Sequence, residues 1–126
     1  MNSLGRHLLG ELLGCRNLPD TAEQLDPLLR RAAELIGATV VGSQFHRFEP
    51  WGLSGVLLVK ESHIAVHTWP EHRCACVDVF TCSEAMDPRP ALDYLREAFG
   101  ADEVDLQELR RGRRAIGSTL EVKSVE

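Results

Sequence analysis

The segment from Lys60 to Cys82 concentrates reactive side chains: one serine, three histidines, two glutamates, an aspartate, a tryptophan and three cysteines. In a pleated strand His63, Ala65 and His67 share one face, while Ile64 and Val66 take the other. Farther on, Cys76, Asp78, Phe80 and Cys82 alternate with Val77, Val79 and Thr81 in the same way. Two adjacent strands of this kind are expected to present His67 and Cys82 to one pocket. Two chemistries fit such a cluster. His63, His67 and His72 beside thiols are ligands for a transition metal, and a cysteine with a histidine base is an activated nucleophile. A Ser-His pair by itself points to neither, and two histidines on a strand face serve equally as exposed polar groups.

The elements that must position this cluster follow from periodicity and punctuation. Leu4 to Leu13 reads as a strand, ended by a turn from Cys15 to Asp20. Asp20 and Glu23 make a capping-box pattern. Leu25, Leu28, Leu29, Ala32, Ala33, Leu35 and Ile36 then form one apolar helical stripe that stops at Gly37. Pro27 is tolerable only near the helix start. Strands are expected over 39–48, 53–60, 64–68 and 75–82, broken at Glu49–Gly52 and Trp69–Arg73. Asp87 can cap a second helix with Pro88 at its first position, carrying Leu92, Leu95, Ala98 and Phe99 to Gly100. Glu103 to Leu109 is a last strand, and the tail beyond Gly112 should fray. The order β-α-β-β-β-β-α-β predicts an α+β two-layer sandwich. Its sheet is mostly antiparallel, because its strands are joined by short turns, with two helices packed on one face. The uncovered face needs a cover, so a homodimer is expected.

Bulk properties exclude several classes. The 126 residues make one domain, and 44% hydrophobic with 26% charged residues is ordinary globular composition. No apolar run approaches the length a bilayer requires, and no signal peptide opens the chain, so cytoplasmic residence is the expectation. A formal net charge of −5 offers no general attraction to nucleic acid or a membrane surface. Arg110, Arg111, Arg113 and Arg114 read as a solvated or locally paired cluster. Cys15, Cys74, Cys76 and Cys82 should be thiols in a reducing compartment. The one-residue spacing of Cys74 and Cys76 is not that of a zinc knuckle or a redox pair, so these two read as structural.

The run Glu61-Ser62-His63-Ile64-Ala65-Val66-His67-Thr68-Trp69-Pro70-Glu71 closely resembles the self-processing segment of prokaryotic S-adenosylmethionine decarboxylases. Val77-Asp78-Val79-Phe80-Thr81-Cys82 is similar to that family's second signature. Ser3-Leu4-Gly5-Arg6-His7-Leu8, Gly37-Ala38-Thr39, Phe45-His46-Arg47-Phe48, Gly52-Leu53-Ser54-Gly55 and Arg111-Gly112-Arg113 extend the resemblance, in register, over almost the whole chain.

The resemblance implies a precursor that cuts itself between Glu61 and Ser62 into residues 1–61 (beta chain) and 62–126 (alpha chain), leaving a pyruvoyl group derived from Ser62. That group would form a Schiff base with the amine of S-adenosylmethionine and accept electrons as carbon dioxide departs. The product is the aminopropyl donor of spermidine biosynthesis. By the same resemblance His67 is the proton acceptor in processing. Cys82 donates the proton in decarboxylation, a thiol being mostly protonated at neutral pH. Phe48 and Trp69 are candidates to stack on adenine or face the sulfonium. Glu71 can accept from the ribose diol, and Ser54 is a pocket residue. No metal is expected. Core packing is the competing reading for Phe48.

The stretch His72-Arg73-Cys74-Ala75-Cys76, together with Lys60 and Glu49, departs from the family pattern. These departures bear on substrate choice. A pyruvoyl-dependent decarboxylase of arginine or ornithine is the enzyme alternative. A non-catalytic metal-binding homologue is the alternative from another class.

Overall fold

A computed structural model describes residues 3–83 and 85–116. Six strands form one sheet: β1 (Gly5–Leu13), β2 (Val40–Arg47), β3 (Leu53–Val59), β4 (Ser62–Trp69), β5 (Cys74–Thr81) and β6 (Glu103–Arg111). Their order across the sheet is β2-β3-β4-β5-β1-β6, and every pairing is antiparallel. Helices α1 (Ala22–Leu35) and α2 (Arg89–Phe99) pack side by side on one face. The order and the two-layer α+β architecture are those that the hydrophobic pattern predicts.

Alternation decides which face the helices cover. Ile64, Val66 and Thr68 of β4, Ala75, Val77, Val79 and Thr81 of β5, and Leu8 and Leu12 of β1 are all buried. The apolar ones meet Leu25 and Leu29 of α1 and Leu92, Leu95 and Phe99 of α2 in one core, each full burial of a Val, Leu, Ile or Phe side chain being worth about 1.5–3 kcal/mol. A side chain at Gly55 of β3 would stand 2.7 Å from the Phe45 ring and 2.9 Å from Leu25 Cδ2. The missing Cβ is what lets the Phe45 ring of β2 and the Leu25 side chain of α1 lie over β3 there.

Local chemistry shifts several expected boundaries. Thr21, not Asp20, caps α1: its hydroxyl accepts from Gln24 N at 3.2 Å, and Gln24 Oε1 accepts from Asp20 N at 2.7 Å. The cap residue thus falls one position later than the Asp20/Glu23 pattern predicts, and the Gln24 side chain reaches back to the residue before it. Pro27 lies inside α1, which leaves the Glu23 carbonyl without its helical donor. The buried stripe holds the helix regardless. Helix α2 begins at Arg89 with Pro88 as its cap residue, and Asp87 Oδ1 accepts from Arg89 N at 3.0 Å. Gly100 ends it in the left-handed region, with φ of 65°. Strand β6 runs to Arg111, and a short turn of helix, α3 (Arg113–Ile116), follows. Beyond it the expected fraying tail lies outside the described residues. No described helix is long and apolar enough to cross a membrane.

Among the described residues nothing covers the second face of the sheet. It carries His63, Ala65 and His67 of β4, Cys74, Cys76, Asp78 and Phe80 of β5, Ser54, Val56 and Leu58 of β3, and His7 and Leu9 of β1. Leu58 and Val56 are exposed there.

Candidate active site

The reactive residues fall into two clusters at opposite ends of β4. The first surrounds the Glu61–Ser62 peptide bond. Strands β3 and β4 are joined by the two-residue turn Lys60–Glu61, which contains no glycine. Such tight hairpins favour positive φ in the turn. Here the positive φ falls instead on Ser62, at 150°, a region that suits glycine almost alone. The Glu61 carbonyl accepts from Cys82 N–H at 2.7 Å. Ser62 Oγ lies 3.4 Å from His63 Nδ1.

A stacked row continues from His63 across the open face. His63 meets the Phe80 ring edge-on at 5.7 Å, and Phe80 packs on His7 at 5.0 Å. Arg111 stands 5.5 Å from the Phe80 ring centre, and its Nη1 donates to His7 Nδ1 at 3.0 Å. Burial lowers the pKa of His63, with the nearby Asp78 charge opposing. Burial lowers His7 as well, Asp78 opposes, and the Arg111 and His63 charges add to the fall. Both imidazoles are therefore neutral at neutral pH, and a neutral His63 can take a proton.

The second cluster sits where β4 leaves the sheet. Ser54 Oγ and His67 Nδ1 are 2.8 Å apart, facing each other across the β3–β4 pairing. Phe48, Trp51, Ser54, His67, Trp69 and Glu71 line a cavity of about 340 Å³. A hydrogen bond from Phe48 N to Gly52 O closes the loop that carries Phe48 and Trp51. The 3-10 turn Pro70–His72 carries Glu71. Phe48 is 47% exposed, which overturns the core-packing reading for it; Trp51 at 52% and Trp69 at 42% are likewise open. The cavity thus gathers all four residues expected to bind substrate, together with His67.

The structure does not bring His67 and Cys82 to one pocket. His67 pairs with Cys76, and Ser62 pairs with Thr81. At about 3.4 Å per residue, His67 stands about 17 Å along the strand from Ser62. Cys82 lies just past β5, against Glu61. Strand period fixes the face of a residue but not the register of its neighbour, and the register separates these two.

The remaining cysteines are unpaired, as expected. Burial raises the pKa of Cys15, Cys74 and Cys76, and for Cys76 the neighbouring Cys74, Glu11 and Asp78 raise it further. Protonated thiols are poor nucleophiles, which agrees with a structural reading of Cys74 and Cys76. Among the described residues no three His, Cys, Asp or Glu side chains converge as a metal-ion group.

A family model for S-adenosylmethionine decarboxylase matches residues 6–112, a span that takes in both clusters. The chain belongs to the S-adenosylmethionine decarboxylase family. Family relatives named as S-adenosylmethionine decarboxylase proenzymes include that of Thermotoga maritima, 46% identical over 90% of this chain and 88% of the relative. That of Acidithiobacillus ferrooxidans is 44% identical over 90% and 86%. A crystal structure described as the adenosylmethionine decarboxylase of Aquifex aeolicus superposes with a TM-score of 0.81 at 34% identity, covering 100% of both chains.

Thr39, whose N–H donates to Glu61 Oε1 at 2.9 Å, has a place in the junction cluster that sequence reasoning did not assign, as do His63, His7 and Arg111. Thr39, His7 and Arg111 each lie in one of the short segments on which the sequence resemblance rests. The signal was therefore present, but only the sheet order brings the starts of β1 and β2 and the end of β6 to the same edge as Ser62.

Proposed function

We propose that the chain is a self-cleaving precursor whose Ser62 becomes a pyruvoyl group, and that the processed protein decarboxylates S-adenosylmethionine to the aminopropyl donor used for spermidine. The observation that carries this reading is the Glu61–Ser62 junction: a serine in a glycine-only conformation, with the carbonyl before it gripped by a backbone N–H. Family membership supports it throughout.

In the first step Ser62 Oγ attacks the Glu61 carbonyl carbon. The new C–O bond replaces the C–N bond, and the hydroxyl proton ends on the Ser62 nitrogen, so the amide becomes an ester. Cys82 N–H already points at the oxygen where negative charge develops. The Ser62 α-proton is then removed and the Cβ–O bond breaks, which releases residues 1–61 with a free carboxylate at Glu61. Water hydrolyses the remaining dehydroalanine, and ammonia leaves. The pyruvoyl carbonyl supplies an electron sink for the carboxylate carbon's bond pair.

The chain's own groups do the rest. Phe48 and Trp69 offer flat faces to adenine, Trp51 lies beside them, and Glu71 accepts from the ribose hydroxyls. Ser54 holds the His67 ring. The Cys82 thiol returns a proton to the carbon that lost carbon dioxide. Three exposed aromatic rings around one cavity favour a nucleoside over arginine or ornithine, whose side chains have no ring to stack. Four unpaired thiols suit a reducing compartment, and we assign the reaction to the cytoplasm. The residue set calls for no metal.

Ser62 and Cys82 stand at one end of β4, and His67 with its cavity at the other. A two-fold axis lying between two sheets, crossing the strands near Ala65, reverses β4 and lays the junction of one copy over the cavity of the other. We propose this homodimer: it covers the open face with its exposed Leu58 and Val56 and completes two sites at once. The reading is tested by the intact mass of the denatured protein. Two fragments are expected, split after Glu61, the C-terminal one lighter by one ammonia than its sequence mass. A single uncut chain after long incubation would overturn the reading.

A further inference from the structure

We propose that the Glu61 side chain is a positioning residue for the self-cleavage, acting by clamping the scissile turn to the start of β2. The inference rests on the reading of Ser62 as the self-cleaving residue. Attack of Ser62 Oγ on the carbonyl before it closes a five-membered ring. That requires the Glu61 carbonyl plane to be fixed while the serine rotates over it. An exposed two-residue turn does not provide this by itself, since its peptide planes can flip.

Three hydrogen bonds remove that freedom. Thr39 N–H donates to Glu61 Oε1 at 2.9 Å. Lys60 N–H donates to Thr39 O at 2.9 Å, so the turn and Thr39 grip each other reciprocally. On the far side Cys82 N–H holds the Glu61 carbonyl oxygen at 2.7 Å. The Glu61–Ser62 peptide is thus held between β2 and β5 and cannot turn without breaking one of them. The same grip keeps Ser62 at φ 150°, where a residue with a Cβ is strained. Migration of the Glu61 acyl group from nitrogen to Oγ breaks the C–N bond and removes that constraint, so the clamp biases the step forward. The carboxylate acts as a hydrogen-bond acceptor of a given reach. Neither its charge nor any proton transfer is needed.

The test is a cleavage time course on freshly made full-length protein, read by intact mass, with thermal unfolding as the control. Glu61→Gln keeps an acceptor oxygen at the same reach and should cleave within about twofold of the parent. Glu61→Ala and Glu61→Asp, the second keeping the charge but too short to reach Thr39, should each slow by up to about tenfold, as loss of one hydrogen bond predicts. Hydroxylamine cleaves an ester once formed, so it should not restore the rate if formation is the slowed step. Parental rates in Glu61→Ala and Glu61→Asp would overturn the clamp. Equal slowing in Glu61→Gln, or rescue by hydroxylamine, would do the same. An uncut parent chain would instead remove the reading beneath it.

Discussion

Cys82 has two separable jobs, one in its backbone and one in its side chain. Its N–H holds the Glu61 carbonyl and survives any substitution but proline. Its thiol is the proposed proton donor to the decarboxylated carbon. Cys82→Ala should therefore still split after Glu61, while carbon dioxide release falls about a hundredfold or more, the usual scale for losing a general acid. Intact mass and radiolabelled carbon dioxide release measure the two jobs independently. Full turnover in the variant would take the thiol out of the mechanism, and an uncut chain would move it into processing. The residue scale is also where the sequence was most legible. Ser62, Cys82, Phe48, Trp69 and Glu71 were expected as site residues from the family resemblance, and the last three line one cavity with His67. Thr39 was not, because its contribution is a backbone N–H, and any residue but proline supplies one.

At the scale of elements, periodicity carried the faces and failed on the register. Leu53, Leu57, Val59, Ile64 and Val66 announce the buried side of β3 and β4 by alternation, and the structure buries them all. Which residue of β4 faces which residue of β5 depends on the turn at Pro70–His72, whose length sets the pairing, and pattern alone cannot count that. The separation of His67 from Cys82 follows directly. Capping was ambiguous for a similar local reason: Asp20 and Thr21 are both good cap residues, and it is Gln24, not Glu23, that accepts from Asp20 N. Gly55 gives an element-scale prediction. Because Phe45 and Leu25 occupy the space above it, Gly55→Ala should lower stability by about 1–3 kcal/mol, the usual cost of overpacking. The measurement is the urea midpoint at unchanged slope. An unchanged midpoint would mean that the Phe45 and Leu25 side chains do not fill the space above Gly55.

On the scale of the whole molecule, the roles proposed for Ser62 and His67, at opposite ends of β4, make the proposed homodimer a requirement for processing. A chain that carries its nucleophile at one end of a strand and its assigned base about 17 Å away cannot join them by side-chain motion. A two-fold partner can. The sharpest consequence is complementation between inactive chains. Ser62→Ala lacks the nucleophile, and His67→Ala lacks the base, so neither should cleave when made alone. Co-expressed, they form mixed dimers in which one site pairs the Ser62 of the His67→Ala chain with the His67 of the Ser62→Ala chain. Only the His67→Ala chain should then be cut, and the intact masses of the two chains tell them apart. The competing base is His63, neutral and 3.4 Å from Ser62 Oγ within the same chain. If His67→Ala cleaves normally by itself, His63 is the base and processing needs no partner. If neither chain is cut even when mixed, the two ends of β4 are not brought together by this dimer, and the open face of the sheet is covered in some other way.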